Sequence, residues 1–315
     1  MKKAIAIVLM CIMSLTMIAA CGGSEVNTPT PAPAPAAEAP AAAAPEPAPA
    51  PAPAPAAPEA DFDTDRMIAT FTREDGSGTR DAFVSITGVG DDMSYEAVVQ
   101  NGTSQILTSI ETNETGIGYV SVGSLSDSVK ALSIDGVLPS DSTITDGSYS
   151  LQRPFLVAVT DEKKNDPLVQ DFLDFMLSVE GQEQLGTTWT SPISSPEMYA
   201  PSGLTGTIKV GGSTSVEPLM QRMREAYIEL NPGIEIEISG GGSGTGIQEA
   251  TDGILDIGMS SRELRENEKE ALTDIAIALD GVAVIVNVAN PITGLTLDEV
   301  REIFIGEKIR WNQVG

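Results

Sequence analysis

The sequence predicts an α/β fold, in which strands and helices alternate along residues 65–315. The apolar run at residues 154–159 is typical of a buried strand, and residues 234–238 alternate apolar and acidic side chains as a half-exposed strand does. Apolar residues between Val216 and Tyr227 recur at helical spacing. Glycine-rich loops stand between such strands and helices, where ligands bind at the edge of α/β sheets.

The composition excludes several classes of function. The chain has 45 acidic and 18 basic residues and a formal charge of -27, which argues against nucleic acid as a partner. It contains no histidine, so histidine-dependent catalysis and histidine metal sites are excluded. Its two cysteines, Cys11 and Cys21, both lie near the N-terminus. We therefore expect no cofactor and no metal, and neither a disulfide nor a thiolate site in the globular part.

The first residues have the pattern of a secretory signal peptide, which we predict at residues 1–20. Lys2 and Lys3 precede an apolar run, which is short for the alternative, a transmembrane anchor. Two alanines before Cys21 resemble the bacterial lipoprotein signal. That resemblance implies that Cys21 carries palmitate or a similar acyl chain and anchors the protein to the cell membrane, facing the extracytoplasmic side.

A linker follows the anchor, at residues 21–61. From residue 28 to residue 60 it is almost wholly proline and alanine, a composition that cannot form a core and favours extended polyproline II structure. At ~3.1 Å per residue such a spacer reaches on the order of 100 Å. A proline-rich ligand for a partner domain is the alternative.

The globular part, residues 62–315, is predicted element by element. In its first half we predict strands at 68–72, 117–122 and 154–159, and helices at 79 onward, 102–112 and 167 onward, the last with Asp166 as N-cap and Pro167 at N1. In its second half we predict strands at 207–210, 234–238, 255–261 and 275–288, the last one crossing at Asp280. We predict helices from residue 216, from Arg262, and from a capping box at residues 296–299.

The loop after the first predicted strand has the features of an anion site. A Gly-Ser-Gly-Thr turn at a helix start presents free backbone N–H groups and hydroxyls to one point. Arg73 at the strand end adds a bidentate charged donor, which Asp75 is placed to orient. The alternative is a surface turn with a solvated charged cluster. Neither glycine loop fits a nucleotide-binding motif, since no Gly-Lys-Ser/Thr and no G-x-G-x-x-G occurs there.

Four motifs together resemble the phosphate-binding proteins of bacterial phosphate ABC transporters, the PstS-like family. They are RxDGSGT at 73–79, GGSTSVEP at 211–218, GGGSGTG at 240–246 and DIGMSSR at 256–262. The resemblance implies a two-lobed, periplasmic-binding-protein-like fold of type II with a ligand cleft between the lobes. One lobe would span about 154–282, and the other about 66–153 plus 283–315.

The resemblance also implies the site residues. Phosphate contacts fall to Arg73, Ser77, Gly78, Thr79, Thr214, Ser215, Ser243 and Asp256, with Asp75 supporting the arginine. For each serine or threonine the alternative role is helix capping. For Asp256 we expect a hydrogen bond from the P–O–H of phosphate, which sulfate lacks; the alternative is a cap of the following turn.

The order of the motifs departs from the family, in which the arginine loop follows the other three motifs. Residues 62–200 resemble the second part of a family member, and 205–315 resemble the first. This order indicates a circular permutation; a fragment of a tandem duplication or a truncated reading frame are the alternatives.

The function implied by the resemblance is that of an extracytoplasmic solute-binding lipoprotein. It would capture inorganic phosphate and deliver it to the permease and ATPase subunits of an ABC transporter, without enzymatic activity. The alternative is a surface-displayed oxyanion sensor or adhesion protein that keeps the fold without transport. A hydrolase is disfavoured because histidine and an evident metal cluster are missing.

Overall fold

The computed structural model describes residues 62–314. The predictions for the signal peptide, for Cys21 and for the linker at 21–61 lie outside the described residues. Within the described part, no helix combines the length and the apolar character that a membrane span requires.

Strands and helices alternate as predicted. The strands are β1 Ala69–Arg73, β2 Val98–Gln100, β3 Gly116–Ser121, β4 Val129–Ala131, β5 Ser133–Ile134, β6 Gln152–Val159, β7 Gly206–Gly212, β8 Ile234–Gly240, β9 Ile257–Ser260, β10 Thr273–Asn287 and β11 Gly294–Leu295. The α-helices are α1 Gly78–Thr87, α2 Thr103–Thr112, α3 Asp141–Thr145, α4 Asp161–Lys164, α5 Pro167–Leu177, α6 Val179–Gln182, α7 Glu217–Leu230, α8 Ser243–Thr251, α9 Glu266–Lys269 and α10 Leu297–Phe304. Short 3-10 helices occur at Val122–Ser124, Glu183–Leu185 and Trp311–Gln313.

Strand β10 connects two groups of parallel strands. The strand order is β2-β1-β3-β10-β6-β9-β7-β8, and β4 also pairs with β10. The part of β10 up to Gly281 pairs with β6, with a bulge at Ile277, and the next five residues, from Val282, pair with β3. Parallel pairing joins β1 to β2 and β3, and β7 to β8 and β9. The predicted crossing at Asp280 is therefore the point where one continuous strand changes its partner.

The buried apolar residues form two large cores on either side of that point. The first core packs α5 and α7 against β6, β7, β9 and the start of β10. The second core packs α1 and α10 against β3 and the end of β10. Helix α5 buries Phe172, Phe175 and Met176 in the first core, and its predicted cap is present, since the Asp166 side chain accepts from the Leu168 N–H.

A buried ion pair lies between the two cores. Asp280 is fully buried, and its Oδ2 accepts hydrogen bonds from Nε and Nη2 of Arg153 at 3.1 and 3.0 Å. Its Oδ1 accepts from the Ser121 hydroxyl at 2.8 Å. Nη1 of Arg153 donates to the Ser261 carbonyl at 3.2 Å. The pair therefore connects β6, β10, β3 and the loop after β9.

The prediction that a helix begins at Arg262 is wrong. Helix α9 begins at Glu266 instead. The Arg262 N–H is bound by the Ser260 hydroxyl, which also donates to the Arg262 carbonyl. Local side-chain hydrogen bonds of this kind compete with helix formation, so residues 262–265 form a non-helical connection.

Candidate functional site

Polar residues meet where β1, β7 and β9 end. Arg73 is the last residue of β1, while Ser213 and Ser261 directly follow β7 and β9. The N-termini of α1, α2 and α8 point at the same place, because Thr79, Thr103 and Ser243 lie in their first turns. Helix N-termini carry a partial positive charge and free N–H groups, so their convergence favours an anion.

Arg73 supplies a buried positive charge where these strands and helices meet, and its side chain is 2% exposed. Its Nη2 donates to the Thr214 hydroxyl at 3.1 Å, and its Nη1 to the Thr103 hydroxyl at 3.3 Å. Thr214 follows a strand of the first core, whereas Arg73 ends a strand beside the second core. The guanidinium therefore reaches across between the two parts of the molecule.

Seven hydroxyl groups, two of which contact the guanidinium, are linked to one another and form what we term the hydroxyl cluster: Thr79, Thr103, Ser213, Thr214, Ser215, Ser243 and Ser261. The Thr79 and Ser215 hydroxyls are 2.9 Å apart, and Thr103 lies 3.2 Å from Thr214. Ser213 donates to Ser261 at 2.9 Å. Because hydroxyls both donate and accept, such a cluster can exchange its internal bonds for bonds to an oxyanion.

The two sides approach each other closely at Gly78. A Cβ at this position would lie 2.3 Å from the Ser243 Oγ and 2.8 Å from the Ser261 Oγ, which is closer than a carbon atom can stand. Next to it, the Gly244 N–H donates to the Gly76 carbonyl at 2.9 Å. The predicted contribution of Gly78 through its backbone therefore has a steric reason, since only glycine leaves this space.

Ser77 lies at the same junction, but its side chain caps the helix that follows it. It is the N-cap of α1, and its hydroxyl accepts from the Arg80 N–H at 3.3 Å. This is the helix-capping role that the sequence left open as its alternative. Ser77 is buried beside the cluster.

The structure corrects the role of Asp75. Its side chain is 97% exposed and forms an ion pair with Arg80 rather than with Arg73. Glu74 orients Arg73 instead, because its carboxylate accepts from Nε at 2.8 Å and from Nη2 at 2.7 Å. It also accepts from the Gly102 N–H at 3.1 Å. Burial alone would raise the pKa of Glu74, but the hydrogen bonds and charge of Arg73, with that N–H group, outweigh it and lower the pKa.

Asp256 is not brought to the cluster, and this corrects its predicted contact with the anion. It directly precedes β9, whereas Ser261 follows that strand; five extended residues separate the two positions by roughly 16 Å. Its Oδ1 lies 2.6 Å from Nζ of Lys163, and its Oδ2 accepts from the Lys209 N–H at 2.8 Å. Asp256 thus binds the backbone of β7 and a lysine side chain, and it makes neither the predicted anion contact nor the alternative cap of the following turn.

Four residues of the site were missed by the sequence reasoning: Glu74, Thr103, Ser213 and Ser261. Ser213 and Ser261 stand inside motifs that had been singled out, Ser213 three residues after the predicted strand at 207–210 and Ser261 at the end of the predicted strand at 255–261, which was a usable signal. Thr103 directly follows Gly102, whose φ of 91° begins α2 as Gly242, with a φ of 90°, begins α8. Glu74 gave no signal, since its spacing from Arg73 did not distinguish it from Asp75.

The arrangement has the donors that an oxyanion requires. Among residues 62–314 no group of three cysteines or carboxylates is placed to hold a metal ion. Converging N–H groups, hydroxyls and one buried arginine provide donors in several directions, as a tetrahedral anion requires.

Comparison with known proteins shows the family of this chain. The chain is 40% identical over 256 residues to Phosphate-binding protein PstS 2 of Streptococcus pneumoniae, which covers 78% of this chain and 87% of that protein. The family model described as PBP superfamily domain matches residues 60–180 and 199–315. This chain belongs to the PstS family of phosphate-binding proteins.

Solved structures place this PstS-family chain among the same proteins. A crystal structure of a phosphate-binding protein of a phosphate ABC transporter from Streptococcus pneumoniae superposes with a TM-score of 0.65 at 40% identity, covering 79% of this chain and all of that one. The predicted α/β periplasmic-binding-protein fold is therefore confirmed. Phosphate-binding protein PstS of Bacillus subtilis is 33% identical, but over only 35% of this chain and 38% of that protein.

Proposed function

We propose that the chain binds inorganic phosphate at the hydroxyl cluster. The observation that carries this proposal is Arg73, a buried arginine that donates to hydroxyls on both sides of the junction and stands where three helix N-termini converge. A tetrahedral oxyanion matches donors arranged in this way. The names of its relatives as phosphate-binding proteins support phosphate as that oxyanion.

The phosphate contacts that we propose are Arg73, Thr79, Thr214, Ser215 and Ser243, the backbone of Ser77 and Gly78, and the newly found Thr103, Ser213 and Ser261. Glu74 takes the supporting role first expected of Asp75, because it holds the guanidinium by two hydrogen bonds. Closing the two cores around phosphate and opening them to release it would be a hinge motion about the partner change in β10.

The protein would act outside the cytoplasm as the substrate-binding lipoprotein of an ABC transporter. Cys21 would carry the lipid, and the proline- and alanine-rich linker would hold the domain away from the membrane. Phosphate would pass from the cleft to a permease driven by an ATPase subunit, and the chain itself would have no enzymatic activity. Relatives named for phosphate transport support this assignment.

We also propose the circularly permuted order, and two observations support it. The matched family segments, 60–180 and 199–315, are separated near the place where the motif order changes. The start and the end of the described chain lie side by side: the Ile68 N–H donates to the Ile309 carbonyl at 2.9 Å, and the Asn312 N–H to the Thr64 carbonyl at 2.8 Å. The two parts thus meet in space where the usual family order would join them.

Calorimetric titration of phosphate into Arg73→Ala tests the binding site. Removing a buried, hydrogen-bonded charge typically costs ~2–5 kcal/mol, which is roughly 30-fold to several-thousand-fold in affinity. Arg66→Ala is the matched control, because Arg66 is exposed and pairs with exposed Glu114, so its affinity should equal that of the wild type. An Arg73→Ala affinity equal to that of this control would place the site elsewhere.

Labelling with fatty acid tests the anchor. Wild-type protein should be labelled and should partition into detergent, whereas Cys21→Ser should do neither. Equal labelling of both proteins would exclude Cys21 as the lipid attachment site.

A further inference from the structure

An ion-pair network outside the hydroxyl cluster joins the two cores. Asp81 lies in the first turn of α1, a helix of the second core. Its Oδ2 is 2.9 Å from Nε of Arg262 and 2.8 Å from Nη2 of Arg265. Both arginines follow β9, a strand of the first core. Separating the cores would therefore separate these charges.

Arg262 is held in place by partners other than Asp81. Its Nη1 and Nη2 donate to the Glu268 carboxylate at 2.7 and 2.8 Å, and Nη1 also donates to the Glu263 carbonyl. These partners all lie on the same side of the junction as Arg262. A guanidinium fixed in this way loses little side-chain entropy when a further carboxylate approaches it.

The Asp81 pair is partly removed from water. The side chain of Arg262 is 7% exposed and that of Asp81 is 28% exposed, whereas Arg265 is 61% exposed. The Nε–H of Arg262 is not aligned with the Asp81 oxygen despite their 2.9 Å separation, so the contact acts through charge. Arg262 should therefore contribute more than Arg265, since exposed pairs are screened by water and salt.

We propose that Asp81 is a latch residue, whose pairing with Arg262 and Arg265 stabilises the closed cleft and slows release of the ligand without touching it. The inference rests on the proposed function, since the ligand is the phosphate of the hydroxyl cluster. The bound state of such a protein requires closure, so whatever stabilises the closed arrangement lowers the dissociation rate.

Stopped-flow measurement of phosphate release from the full chain tests the latch. Asp81→Asn keeps the shape of the side chain and removes its charge. We expect release about three- to tenfold faster, with an association rate within about twofold, because losing a partly buried charge pair acts mainly on dissociation. Asp81→Glu, which restores the charge, should recover most of the difference. Equal release rates for wild type and Asp81→Asn would overturn the proposal.

Glu266→Gln is the matched control. Glu266 pairs with Lys269 at 3.0 Å within α9. The variant therefore removes an acidic charge from an ion pair that does not cross between the cores. Its release rate should equal that of the wild type. Acceleration equal to that of Asp81→Asn would show a general charge effect and overturn the latch.

A distance measurement without ligand separates failure of the latch from failure of the proposed function. The chain's two cysteines, Cys11 and Cys21, are first changed to serine. Spin labels are then attached at Glu111→Cys and Glu225→Cys, which lie on the exposed faces of α2 and α7. The distance between the labels reports the separation of the two sides. Asp81→Asn should shift the distance distribution to longer values. A wild type that does not bind phosphate would refute the proposed function alone, and an unchanged distribution would refute the latch.

Discussion

Replacing Asp280 by asparagine should severely destabilise the protein, because it leaves the charge of Arg153 buried without a counter-charge. Asp280 is fully buried, and the side chain of Arg153 is only 2% exposed. Removing one partner of a buried ion pair typically costs ~3–5 kcal/mol. For a domain of this size each kcal/mol lowers the melting temperature by about 2–4 °C, so we expect a decrease of roughly 6–20 °C.

Urea unfolding of the full chain, followed by circular dichroism, measures this effect. The exposed pair of Arg66 and Glu114 provides the control, since Glu114→Gln should cost less than about 1 kcal/mol. Arg153→Met combined with Asp280→Asn removes both charges and should be more stable than Asp280→Asn alone. The reasoning is refuted if Asp280→Asn is as stable as the control, or if the double variant is the least stable of all.

Three further changes have defined outcomes. Gly78→Ala places a methyl group 2.3 Å from the Ser243 Oγ. Overpacking costs about 1–3 kcal/mol, so calorimetry should show phosphate binding weakened about five- to 150-fold. Unchanged affinity would contradict the close approach. Glu74 has a folded-state pKa below its ordinary 4.5, so the stability that its carboxylate contributes is present above pH 4.5 and is lost as the pH falls further. In thermal melts the wild type should therefore be more stable than Glu74→Gln near neutral pH, and this difference should shrink in acid. A difference that grows in acid would disprove this cause. Asp166→Ala removes the cap of α5 and should cost about 1 kcal/mol in urea unfolding, where no loss would argue against the cap.

The sequence predicted those features whose cause lies within a few residues. The Asp166 cap and the Thr296–Glu299 capping box both formed as expected, because capping depends on side chains and N–H groups two or three positions apart. The strands at β1, β6 and β8 were also located correctly from their apolar patterns. The Arg73 loop was singled out because it follows a strand and precedes a helix, whereas Thr214, Ser215 and Ser243 were assigned from the family resemblance.

What was missed depends on direction and on partners far along the chain. Asp256 was chosen from a motif that does contribute to the site, but it stands at the wrong end of β9; only Ser261, at the other end, reaches the cluster. The choice between Asp75 and Glu74 for Arg73 depends on rotamers around a turn. Thr103 contacts Thr214 across 111 positions of sequence, a distance that no local pattern can indicate.

The continuous strand β10 has a consequence for the way the molecule opens and melts. Its 15 residues hydrogen-bond with β6 at one end and with β3 and β4 at the other, so neither core can unfold without exposing part of the same ladder. Amide exchange along β10 should therefore be among the slowest in the described chain and should proceed only by global unfolding. In the proposed hinge motion the two sides move apart as rigid pieces, but they should lose their structure in a single cooperative step.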